Sequence, residues 1–230
     1  MNRIFKGRGR FAASAAVLFL ALILAACQTA SPSAPTAEVT ATAAATLTPT
    51  PYVLEGATTI GRDCVVGPHA HLVDTRLGDG VTISQSRAHL AEIGDGVRVG
   101  PFANLRPGTV IGANARIGSF VEVKKSELGE ASSVAHLSYL GDATVGAHAN
   151  VGGGTITCNF DGAAKHHTTV GEGAFIGSNN TLVAPVTVAE GAYTAAGSTI
   201  TEDVPPGSLG MGRARQVNKE GWASKRRGGD

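Results

Sequence analysis

Aromatic residues are scarce in this 230-residue chain: 7 Phe, 3 Tyr and 1 Trp make up 5% of it, against 31 Gly. Any interior must therefore be filled by aliphatic side chains. Cysteine is scarcer still, and Cys27, Cys64 and Cys158 stand far apart in no CxxC or Cys/His ligand spacing. That excludes a disulfide framework and a zinc module, and Cys64 and Cys158 are expected as buried free thiols. An excess of one charge is missing too, with 19 Lys+Arg against 18 Asp+Glu. Nothing in that balance points to nucleic acid. The one long apolar run, Phe11 to Ala26, has 16 residues, short of the roughly 20 needed to span a bilayer as a helix.

What is present at the N-terminus reads as an export signal. Arg3, Lys6, Arg8 and Arg10 precede the apolar run without an acid, giving a basic n-region before an h-region. The run closes on Leu24-Ala25-Ala26-Cys27, which resembles the lipobox of bacterial lipoprotein signals. The resemblance implies a signal peptide over 1–26, lipidation of Cys27 and an extracytoplasmic, membrane-anchored protein. An uncleaved anchor with its basic flank inside is the other reading of the same residues, and failed export or a mis-assigned start would leave the protein cytoplasmic. From 27 to 51 the chain is nearly all Ala, Thr, Ser and Pro, a composition that buries too little apolar surface to offset ordering entropy. A flexible tether is expected there. Cleavage before Cys27 removes four basic residues and no acid, leaving 15 Lys+Arg against 18 Asp+Glu and a net charge of −3.

From Tyr52 onward an aliphatic residue followed by Gly recurs, at Ile60-Gly61, Val66-Gly67, Leu77-Gly78, Ile93-Gly94, Val99-Gly100 and onward to Ile176-Gly177. Ile93, Val99, Leu105, Ile111, Ile117 and Val123 are each six apart, a period that neither a helix nor an alternating strand has. It is the hexapeptide-repeat signature, in which each step is a short strand and a tight turn. The expected fold is all-β, a parallel β-helix over 52–207, and similarity to hexapeptide proteins implies a left-handed coil, against the usual crossover hand. Five-residue steps from Val123 to Leu128 and from Leu140 to Val145 predict corner adjustments. The pattern is lost between Gly152 and Val170, so Thr157 to His167 is expected as an extruded loop, where chemistry is commonly placed. Asp203-Val204-Pro205-Pro206-Gly207 should end the prism, followed by a basic tail over 208–230.

Longer motifs run through the repeat: Leu105-Arg106-Pro107-Gly108, Phe120-Val121-Glu122-Val123-Lys124-Lys125, His136-Leu137-Ser138-Tyr139-Leu140-Gly141-Asp142, Gly154 to Gly162, Leu182 to Val186, and Gln216 to Trp222. Over roughly 55–222 these resemble the C-terminal acetyltransferase domain of bacterial bifunctional N-acetylglucosamine-1-phosphate uridyltransferase/glucosamine-1-phosphate acetyltransferases. The resemblance implies transfer of acetyl from acetyl-CoA to the amine of glucosamine 1-phosphate, in a homotrimer with active sites between neighbouring prisms.

Residue by residue, the same resemblance implies that His136 is the general base, a role suited to imidazole near neutrality, with Glu122 orienting it. Arg106, Lys124, Tyr139, Asn150 and Lys165 match sugar-phosphate ligands, Arg suiting phosphate bidentately and Lys as a point charge. Gly153, Asn159, Phe160, Ser178, Ala196, Arg213 and Lys219 match acetyl-CoA ligands, and Asn159 is also a candidate donor to the developing oxyanion. Phe160 stands where the family commonly has Tyr. No Gly-rich nucleotide loop precedes the repeats, so uridylyl transfer and its Mg²⁺ are not expected. The pairs His69/His71 and His166/His167 complete no three-ligand set, and no metal is expected. The alternative, from another class, is a non-catalytic surface scaffold or sugar-binding lipoprotein that inherited the site.

Overall fold

The computed structural model describes residues 51–227 together with the strand pairs Thr40–Ala41 and Thr46–Leu47. The signal segment and Cys27 lie outside these residues. The aliphatics of the six-residue phase form the interior of a left-handed parallel β-helix. Its three faces are sheets of nine, ten and nine parallel strands, most of them two or three residues long. The first face contains Ala91–Ile93, the second Arg98–Val99 and the third Asn104–Leu105, so one coil is read off consecutive hexads.

Within such a short strand one side chain points out and the next points in, and the inward residues stack coil on coil. Ile93 pairs with Leu77 and Ile111, Val99 with Ile83 and Ile117, and Leu105 with Ala88 and Val123. These residues are almost completely buried, each Leu or Ile contributing about 1.5–3 kcal/mol of transfer free energy. Stability therefore accumulates between neighbouring coils.

The corner between the second and third faces needs a left-handed backbone residue on each coil. Phe102 (φ 61), Phe120 (φ 58), Leu137 (φ 49) and Asn179 (φ 55) supply it without being glycine, an uncommon state for bulky residues. The ladder holds them there: the amides of Phe120, Leu137 and Gly154 donate to the carbonyls of Phe102, Ser119 and His136 at 3.1, 2.9 and 3.3 Å. Phe102 and Phe120, both half exposed, stack with centroids 5.2 Å apart.

Four details differ from the sequence reading. Ile156–Cys158 is a strand of the third face, in register with Thr181 to Val183, so the extruded segment begins only at Asn159. The repeat was masked there because Thr157 takes an inward aliphatic place. Its hydroxyl is satisfied by the Gly141 carbonyl at 3.1 Å and the Gly141 amide at 2.8 Å. Cys158 consequently faces outward and is only partly buried, whereas Cys64 is buried. Burial pushes the Cys64 thiol up from its ordinary range. At the C-terminal end Leu209–Gly210 pairs with Tyr193–Thr194, beyond Pro205-Pro206. At the other end, Thr40–Ala41 and Thr46–Leu47, within the stretch read as a tether, pair with Thr59–Ile60 and Val65–Val66. The described residues end in a short exposed helix, Trp222–Arg227, with the Arg226 guanidinium 5.0 Å from the Trp222 ring centroid. Among the described residues no helix is long and apolar enough to cross a membrane.

Candidate functional site

Coil stacking turns residues far apart in sequence into straight lines. On the corner between the second and third faces, the place just before the left-handed residue is held in successive coils by His136, Gly153, Ser178 and Ala196. The amides of Gly154, Asn179 and Gly197 donate to the carbonyls of His136, Gly153 and Ser178 at 3.3, 2.7 and 2.8 Å, which fixes that line. At about 4.8 Å per coil, it is a narrow track with an imidazole at one end and only small side chains after it. Gly153 keeps that place open, since a Cβ on it would come within a tight 3.3 Å of the His136 Cβ. Arg213 Cδ lies 3.9 Å from where a Cβ on Gly197 would sit, bringing a guanidinium stem to the far end of the track.

His136 ends the strand Ser133–His136, is exposed, and has no side-chain hydrogen-bond partner among the described residues. Around the corner, on the same coil, begins a cluster of charges on the third face. Glu122 pairs in register with Asn104 and Tyr139. Its carboxylate accepts from Arg106 Nη1 at 2.7 Å and from Asn104 Nδ2 at 3.3 Å. Glu122 thus fixes the Arg106 guanidinium, and no contact joins it to the His136 imidazole. Lys124 follows on the same strand, Glu122–Lys124. The Lys165 ammonium beside it, and Arg106 further off, hold the Lys124 ammonium below its ordinary range. Lys165 Nζ is 3.9 Å from Asp142 Oδ2, and Asn159 Nδ2 donates to the same oxygen.

Gly141 makes room for this arrangement. A Cβ there would sit 2.7 Å from Tyr139 Cζ and 2.8 Å from Asn159 Nδ2, so its absence lets the phenol and the amide close over the strand. The segment carrying Asn159, Phe160 and Lys165 is itself held. Phe160 and Lys165 form an antiparallel bridge. Asp161 accepts from the Ala163 and Ala164 amides at 2.7 Å each, and its other oxygen is 2.7 Å from His166 Nε2. These bonds, the Ala164 amide first, hold the Asp161 carboxyl well below the usual carboxylate range.

The third face therefore brings Arg106, Glu122, Lys124, Tyr139, Asn159 and Lys165 together, and the corner brings His136, Gly153, Ser178 and Ala196 into one line. Asn150 is not with them: it pairs with Ser133 and Phe175 on the second face. Phe160 is exposed on the loop, and no contact joins Lys219, on the exposed tail, to the track. Sequence reasoning gave no role to Asp142, Gly141 or Asn104, although Gly141-Asp142 lies within a motif it singled out. Among the described residues no three His, Cys, Asp or Glu side chains converge as metal ligands.

Comparisons with known proteins follow the same lines. Residues 91–125 match the family described as bacterial transferase hexapeptide (six repeats). Over 174 residues, 76% of the chain, there is 55% identity to the bifunctional protein GlmU of Thermotoga petrophila, of which this covers 39%. For the protein of that name from Streptomyces avermitilis the identity is 52% over 176 residues, 76% of the chain and 36% of the relative. The chain thus spans about two fifths of the length of these curated relatives. Among solved structures, LpxA, a UDP-N-acetylglucosamine acyltransferase from Bacteroides fragilis, aligns with a TM-score of 0.60 at 16% identity, over 69% of this chain and 68% of that one. The UDP-N-acetylglucosamine acyltransferase from Campylobacter jejuni gives 0.51 at 21% identity, over 80% and 79%. At such identities the likeness is one of fold.

Proposed function

We propose that this chain is an amino-sugar N-acetyltransferase, moving acetyl from acetyl-CoA to the amine of glucosamine 1-phosphate or a closely similar acceptor. The reading is carried by one observation: the exposed His136 imidazole stands where a track of small residues meets a cluster of three cations. Its identity of 55% to a GlmU protein supports the same class.

Arg106, Lys124 and Lys165 receive the sugar phosphate, and the crowding of Lys124 against Lys165 is relieved when an anion arrives between them. Glu122 presets the Arg106 guanidinium, which lowers the ordering needed on binding. Tyr139 supplies a hydroxyl to the sugar. His136 takes a proton as the amine nitrogen attacks the thioester carbonyl. The C–N bond forms and the C–S bond breaks as the tetrahedral adduct collapses, and the departing CoA sulfur leaves as thiolate or takes that proton back. The pantetheine arm lies along Gly153, Ser178 and Ala196, with Arg213, and Lys219 from the tail, meeting the nucleotide phosphates. Asn159, poised by Asp142, offers its amide to the oxyanion, with Phe160 flanking the donor. Asn150, on another face, meets the acceptor from a neighbouring copy in the homotrimer that the family resemblance implies.

The lipobox-like Leu24-Ala25-Ala26-Cys27 supports an extracytoplasmic lipoprotein anchored at Cys27. Loss of fatty-acid label in Cys27→Ser tests that anchor, and label retained by the variant overturns it. The activity is tested with the full-length chain, glucosamine 1-phosphate and acetyl-CoA, following release of free thiol. His136→Ala is expected to lower kcat by about 10²- to 10⁴-fold with an unchanged melting temperature. A silent wild type leaves the non-catalytic surface scaffold as the reading, and a variant as fast as wild type removes His136 from the mechanism.

A further inference from the structure

Directly above the sugar-phosphate cluster, toward the N-terminal end of the third face, stands a second group of basic side chains that acetyl transfer does not use. Arg87 and His89 lie on the strand Arg87–His89. Arg87 pairs in register with Asn104 and Ala88 with Leu105, which puts His89 one coil from Arg106. Together with Leu105 and Pro107, these four residues, Arg87, His89, Asn104 and Arg106, line a concavity of about 270 Å³. Arg106 belongs to both this concavity and the cluster below.

Arg106 already has its acid in Glu122, and the other acid nearby is engaged by a different histidine, so neither serves Arg87 or His89. Glu122 accepts from Arg106 and Asn104, and Glu55 faces His71 Nε2 at 3.3 Å. Among the described residues neither Arg87 nor His89 has an ion-pair partner. Arg87 and His89 thus stand beside Arg106 with no acid of their own, and an anion placed among them gains charge-assisted hydrogen bonds.

We infer that this concavity is a subsite for a second phosphoryl group on the acceptor, so that the preferred acceptor is an amino sugar bearing a diphosphate at C1. The inference rests on the acetyl-transfer reading for the identity of the amino sugar. The spacing decides the class: one coil is about 4.8 Å, within reach of long side chains and suited to phosphoryl groups joined by a single bridging oxygen. Arg106 lies between the two groups and serves both.

The first measurement needs no turnover. Titration calorimetry on the full-length chain compares inorganic pyrophosphate with orthophosphate. Pyrophosphate is expected to bind at least about tenfold more tightly, each added charge-assisted contact being worth a sizeable fraction of such a factor. The Arg87→Ala/His89→Ala double variant should bring the ratio close to one, and Arg87→Lys should keep most of it. Melting temperatures confirm that the variants fold. A ratio near one in wild type, or one that survives the double variant, overturns the subsite. In turnover, glucosamine diphosphates carrying uridine or a short isoprenoid are compared with glucosamine 1-phosphate, and whichever is acetylated with the higher kcat/KM identifies the source of the diphosphate. If neither exceeds glucosamine 1-phosphate, the proposed acceptor class is wrong. If no acceptor is acetylated while the pyrophosphate ratio and its loss are observed, the acetyl-transfer reading fails and the anion subsite stands.

Discussion

The first and third faces of the prism share one backbone and one interior, yet their outward columns differ in kind. On the first face the register runs Arg76, Glu92, Val110, Glu127 and Thr144, with opposite charges adjacent and like charges apart. On the third face Arg106 and Lys124 stand on adjoining coils and Lys165 is folded back against them, with the Lys124 ammonium held below its ordinary range as a result. Cross-strand opposite charges stabilise a sheet and like charges destabilise it. The first face is arranged for the fold, and on the proposed function the third gives up some stability to receive the acceptor. Inward residues are indifferent to this distinction, which is why a β-helix can carry a site on one face without altering the others.

The largest break in the comparison comes at the corner. His136→Ala should remove about 10²- to 10⁴-fold of kcat and leave the melting temperature in place, because the imidazole is exposed and bonded to nothing in the prism. Ile117 is the opposite case: it is fully buried, stacked on Val99 and Val134. Ile117→Ala should cost about 2–5 kcal/mol, read from denaturant unfolding, while any activity of the folded fraction is retained. A kcat loss in Ile117→Ala, or a stability loss in His136→Ala, would show that interior and site are not separable.

Next in size is the like-charge pair. Lys165→Gln should raise the KM for glucosamine 1-phosphate by roughly tenfold, the loss of one charge-assisted contact. Its effect on stability has the opposite sign. With Lys165 present, the folded-state pKa of Lys124 lies below the 10.5 of the unbound group, so the folded chain binds fewer protons than the unfolded one in the alkaline range just beneath that value. Stability therefore gains a rising contribution with pH there. In Lys165→Gln that rise should flatten, as checked by melting temperature against pH. Gly141→Ala is expected to raise the same KM by forcing Tyr139 and Asn159 apart, without touching the charges.

How much of this was readable beforehand follows from what a period can encode. The hexad specifies the inward stack, so Ile93 through Val123 named the faces they fill. It is silent where a polar residue takes an aliphatic place with its hydrogen bonds satisfied, as Thr157 does, so the period alone starts the loop at Thr157 when the strand runs on to Cys158. Motif resemblance named Arg106, Lys124 and His136 singly. It could not show that the Glu122 carboxylate contacts Arg106, since those partners are 16 residues apart and meet only once coils are stacked. Successive coils differ in length, so cross-coil neighbours such as Lys124 and Lys165 have no fixed separation in sequence. Asn150 marks the remaining gap: its place on the second face follows from the register, and no property of one chain brings it to the acceptor.

The smallest expected effect is the control that gives the comparison its meaning. Arg76 and Glu92 are exposed neighbours on the first face, and the double variant Arg76→Gln/Glu92→Gln removes one charge of each sign. Exposed pairs of this kind contribute about 0–1 kcal/mol, so the melting temperature should shift by no more than a few degrees. Acceptor and donor KM, kcat and the preference for pyrophosphate over orthophosphate should each stay within about twofold, since the altered charges sit on a different sheet from every proposed ligand and exposed charges beyond a Debye length of about 8 Å are largely screened at physiological salt. The measurement is repeated at low salt. If the double variant then changes the pyrophosphate ratio as strongly as Arg87→Ala/His89→Ala does, the anion preference belongs to the overall field of the prism, and the third face loses its special standing.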